Sequence, residues 1–68
     1  MYRNTNEAYL KELKENESFL NARIDEIEQY IERLKNDNQT IAPITQSVLE
    51  LNKNMKSELI NEIKRLDA

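Results

Sequence analysis

Apolar residues at heptad spacing constrain this chain more than any other feature in it. Leu10, Leu13, Leu20, Ile24, Ile27, Ile31 and Leu34 are separated by steps of three, four or seven residues, so they fall along one side of an α-helix. A second series, Ile44, Val48, Leu51, Met55, Leu59, Ile63 and Leu66, follows the single proline. The pattern predicts an all-α fold: an antiparallel two-helix coiled-coil hairpin, forming one domain over residues 1–68. In the first series Leu10, Ile24 and Ile31 take a positions and Leu13, Leu20, Ile27 and Leu34 take d positions. The second series steps mostly by four, slower than a strict heptad, which suits a nearly straight helix.

Local signals place the boundaries. Asn4 and Glu7 have capping-box spacing, and nothing from there to Lys35 breaks a helix, so helix one is expected over about 4–36. The run Asn36-Asp37-Asn38-Gln39-Thr40 favours side-chain bonding to the backbone and left-handed conformations, giving a turn at about 37–40. Thr40 is the expected N-cap of helix two, about 41–67, with Pro43 in its first turn, where a missing amide hydrogen does no harm. Glu7–Lys11, Glu32–Lys35 and Glu62–Arg65 have the spacing of helix-supporting charge pairs.

With the turn near residue 40, facing positions follow: Ile31 meets Val48, Ile24 meets Met55, Leu20 meets Leu59 and Leu13 meets Leu66. Two features remain outside that seam. Phe19 and Tyr30 on helix one, and Leu49 and Ile60 on helix two, are each eleven residues apart, close to three full turns. They are expected to form a second apolar stripe for self-association, giving a homodimeric four-helix bundle. Helix one also overhangs helix two, and the overhang carries Tyr2, Tyr9 and Leu10. Tyr2 and Tyr9 are seven residues apart on one side of the helix, and tyrosine is favoured at binding surfaces. These three residues are the candidate partner-binding set; a frayed end or dimer packing across the overhang is the alternative reading.

Composition removes most chemistry from consideration. The chain has no Cys, no His and no Gly, so disulfides, the usual structural zinc ligands and Gly-rich phosphate loops are all missing. A chain this small needs some supplement to its core, and oligomerisation is the route left. Neither catalytic residues nor a cofactor or metal site is expected. Asp25, Glu28 and Glu32 read as a solvated charged face. Glu17, the one acidic group at an a position, reads as lying at a wet bundle end; specifying register or binding a partner's Lys or Arg are the alternatives. The net charge is −3, from 13 acidic and 10 basic side chains. Lys53, Lys56, Lys64 and Arg65 enrich helix two, but Glu50, Glu58 and Glu62 interrupt them, so nucleic-acid binding is a secondary reading. No apolar run is long enough to span a membrane, and the first residues lack the apolar core of a signal peptide. The cytoplasm is therefore the expected location, and the abundance of Asn and Lys fits an AT-rich bacterial or phage genome.

In size and topology the chain resembles the plasmid primer-repression hairpin, a dimeric RNA binder, although the likeness covers no motif. It also resembles, as a hairpin, the short two-helix phosphatases that act on aspartyl phosphate in sporulation signalling. Aligning Val48-Leu49 with the stretch before their Ser-Gln-Glu-Leu-Asp signature places Asn52-Lys53-Asn54-Met55-Lys56 there. The signature carboxylates are gone, so that activity is not carried over. The function expected is that of a small non-enzymatic adaptor, inhibitor or regulator that binds another protein. A nucleic-acid-binding dimer and a structural scaffold or assembly chaperone are the alternatives.

Overall fold

Two helices, α1 (Tyr2–Asn36) and α2 (Pro43–Asp67), pack against each other in a computed structural model that describes the backbone of residues 2–67 and the side chains of residues 7–67. The described residues contain no strand. The hairpin is a rod 55 Å long and 16 by 14 Å across, a length set by the 35 residues of α1 at about 1.5 Å each. Its helices run antiparallel: Glu28 pairs with Lys53 at 3.4 Å and, towards the open end, Lys14 pairs with Asp67 at 3.9 Å. Both contacts lie within two residues of the register expected from the apolar series.

The turn is built from the polar run that ends α1. Asn38 adopts a left-handed conformation with φ of 57°, which asparagine tolerates better than most residues with a Cβ. That conformation folds the chain back over the last helical carbonyls. The Gln39 amide donates to Leu34 O at 2.8 Å and the Asn38 amide to Lys35 O at 3.1 Å, the two bonds of a Schellman motif. Residues 39–42 then lead to α2 without regular structure.

α2 begins at Pro43, two residues later than expected. Its first bond outside the regular ladder runs from the Thr45 amide to Ala42 O at 3.0 Å, so Ala42, and not Thr40, occupies the N-cap. The cause is Pro43 itself. Its ring pushes the preceding residue away from helical geometry, while its own fixed φ suits the first helical position. α1 begins at Tyr2, ahead of the expected start at Asn4, which places Asn4 and Glu7 inside the helix and not at its edge.

The core is thin. Leu13 and Ile24 are its buried apolar residues, Asn52 is buried beside them, and no described side chain is fully buried. Leu10, Leu20, Ile27, Ile31 and Leu34 complete the α1 seam as half-buried groups, as the heptad pattern required. α2 departs from expectation. Ile44, Leu51 and Met55, all read as seam residues, are exposed, whereas Thr45, Asn52 and Lys56 turn towards α1. The apolar residues of α2 from Leu51 round to Ile60 cover an arc of about 180°, against the roughly 100° that one partner helix can cover. α1 packs on the middle of that arc, where Asn52 sits, and leaves both margins partly open.

Candidate interaction surfaces

The rotation of α2 gives the hairpin two unlike flanks. On the first, Phe19 and Leu20 of α1 line a groove with Met55 and Leu59 of α2. Further towards the turn, Ile27 and Tyr30 line a second groove with Ile44 and Val48. Leu51 lies one turn before Met55 and two turns after Ile44, so it shares this face. Phe19 and Ile44 are each 70% exposed, and Leu51 is 58% exposed. This is the largest concentration of exposed apolar side chains among the described residues. Periodicity places Tyr9 on the same side of α1 as Tyr30, three heptads away.

The opposite flank is sealed differently. Ile31 and Leu49 lie at the bottom of a groove rimmed by Lys35, Gln46, Glu50 and Lys53. The Glu28–Lys53 pair bridges the two helices there, and both side chains remain about half exposed. Leu49 and Ile60 share this side of α2 and are half-buried. The four residues expected to form one stripe are therefore divided: Phe19 and Tyr30 stand on the apolar flank, Leu49 and Ile60 on the ion-paired one. Ile44, Leu51 and Met55 take the α2 side of the apolar flank instead.

The overhang is present on α1. Asp67, the last described residue of α2, pairs with Lys14, so Glu7 to Leu10 extend past the described end of the hairpin. Tyr9 is 44% exposed and Leu10 half-buried. The side chain of Tyr2 lies outside the described residues. Glu17 is half-buried in this open half of the rod, where Glu62, also half-buried, accepts a charge-assisted hydrogen bond from Arg65 one turn later.

Asn52 is the residue that sequence reasoning passed over. It is buried, and its Nδ2 donates to Val48 O at 2.8 Å. A trace was there to read: Leu49, Asn52, Lys56, Leu59, Ile63 and Leu66 also follow three-and-four spacing, a path competing with the all-apolar one. Among the described residues no group of three or more acidic side chains is placed to hold a metal ion, and no helix is long and apolar enough to cross a membrane. Comparison with protein-family models, curated proteins and solved structures finds no match for the chain.

Proposed function

We propose that this chain is a small non-enzymatic adaptor, inhibitor or regulator that binds another protein, acts in the cytoplasm, and works as a homodimeric helical hairpin. The observation that carries this reading is the overhang of α1. The ion pair between Lys14 and Asp67 is the outermost described ion pair between the helices, and Tyr9, 44% exposed, stands beyond it with the half-buried Leu10 beside it on one helical turn. Tyrosine is enriched among the residues that concentrate binding energy at protein interfaces. The basic residues of α2 support the protein-binding reading over the nucleic-acid one. Lys53 is engaged by Glu28, Arg65 by Glu62, and Lys56 is half-buried against α1, while Lys64 is exposed, so among the described residues the cations of α2 form no continuous basic face to follow a phosphate backbone.

The test is affinity capture from an extract of the source cells with the full chain and with a Tyr9→Ser, Leu10→Ser variant. One stoichiometric protein held by the first and released by the second, with helicity preserved, is the expected result. Equal capture by both would remove the overhang from the binding site. Recovery of nucleic acid in place of a protein would overturn the reading.

A further inference from the structure

The apolar flank needs an occupant, because one partner helix leaves Phe19, Ile44 and Leu51 in water. Resting on the reading of the chain as a self-associating hairpin, we infer that this occupant is the same flank of a second copy, turned end over end. Phe19 of each hairpin then fills the other's groove between Tyr30 and Ile44.

The first argument is shape. A two-fold interface uses one patch twice, so that patch must carry a projection and a matching recess on either side of the axis. Phe19, 70% exposed, is the projection. The recess between Tyr30 and Ile44, backed by Ile27 and Val48, begins eleven residues along α1, about 16 Å away. Midway between them, at the level of Met55, lies the place for the axis. The Leu20–Leu59 groove on one side and the Glu28–Lys53 pair on the other bracket that level.

The second argument is area. The chain exposes 5693 Å², whereas a compact monomer of 8.1 kDa would expose about 4,500 Å². A standard interface removes about 800 Å² from each partner, which fits within the excess. Covering the flank in this way gives the small chain the additional core that its length calls for.

The third is charge. Arg33 rims the recess at the turn end, and Glu26 rims it two helical turns away. End-over-end pairing carries Arg33 of each copy to the open half of the other, away from its counterpart. Pairing with like ends together would set arginine against arginine. The ion-paired flank stays on the outside of the bundle.

The chain has no cysteine, so a single introduced one reports its neighbours without interference. Light scattering on the full chain reads whether it pairs, and is expected to give twice the chain mass. Met55→Cys, at the axis, is expected to cross-link into dimers with a thiol reagent of about 8–10 Å reach, the spacing of packed helices. Gln46→Cys, on the opposite flank, is expected to remain unlinked. Phe19→Ala is expected to weaken pairing by roughly tenfold or more. A dimer that links through Gln46→Cys and not Met55→Cys, or that pairs undiminished with Phe19→Ala, overturns this inference and leaves self-association standing. A chain that stays monomeric at high concentration overturns both.

Discussion

Asn52 donates from Nδ2 to the carbonyl of Val48 one turn earlier, at 2.8 Å, in the middle of the helix–helix seam. The bond is internal to α2, so it satisfies the buried amide without adding anything across the interface. A buried asparagine of this kind lowers stability and narrows the set of accessible registers, as it does at a positions of coiled coils. Asn52→Leu is therefore expected to raise stability by about 1–2 kcal/mol. Its second effect is a broader mass distribution by light scattering, because registers and oligomers that bury leucine equally well become accessible. Urea unfolding reads the first effect, and a lowered midpoint would show that the polar group contributes net stability.

Asn38 tests the turn. At φ of 57° a β-branched residue carries a steric penalty of roughly 1–2 kcal/mol, while glycine has none. Asn38→Val should lose that much in thermal unfolding, and Asn38→Gly should equal or exceed the native chain. If both variants melt alike, residue 38 does not hold the left-handed conformation.

Leu13 and Tyr9, four residues apart on α1, separate packing from docking. Leu13 is 7% exposed, and Leu13→Ala should cost about 2–4 kcal/mol through lost burial and the cavity left behind. Tyr9→Ala, past the described end of α2, should change stability by no more than about 0.5 kcal/mol. Circular dichroism during melting distinguishes them, and a large loss for Tyr9 would place the overhang inside the folding core.

The Glu28–Lys53 pair crosses between the helices at 3.4 Å with both side chains about half exposed. A double-mutant cycle with Glu28→Gln and Lys53→Gln is expected to give a coupling below about 1 kcal/mol at low salt. That coupling should vanish near 1 M salt, where screening acts over about 3 Å. Coupling that persists at high salt would mean the pair is shielded from water, contrary to its position on the rod.

Much of the hairpin is legible in the residues themselves. Helix formation over α1, the break near residue 37 and the left-handed asparagine are local events, decided within a few residues by periodicity and turn chemistry. The register was legible too, because it depends mainly on turn position and helical rise; Glu28–Lys53 and Lys14–Asp67 fall close to it. The N-cap was misread. Thr40 is the better capping residue taken alone, but Pro43 dictates the backbone on both sides of itself and leaves that place to Ala42.

Periodicity and turn chemistry are enough to require two helices, to place their parting, and to choose the side of α1 that faces its neighbour. The apolar stripe of α1 is narrow enough to admit one answer. The rotation of α2 about its own axis is a matter of packing between the helices. Its apolar residues span an arc wider than a single partner can cover, so several rotations are nearly equal as pattern, and packing selects among them. The packing chosen buries Asn52, leaves Leu51 and Met55 beside Phe19 on an open flank, and places Leu49 and Ile60 across the rod behind an ion-paired edge.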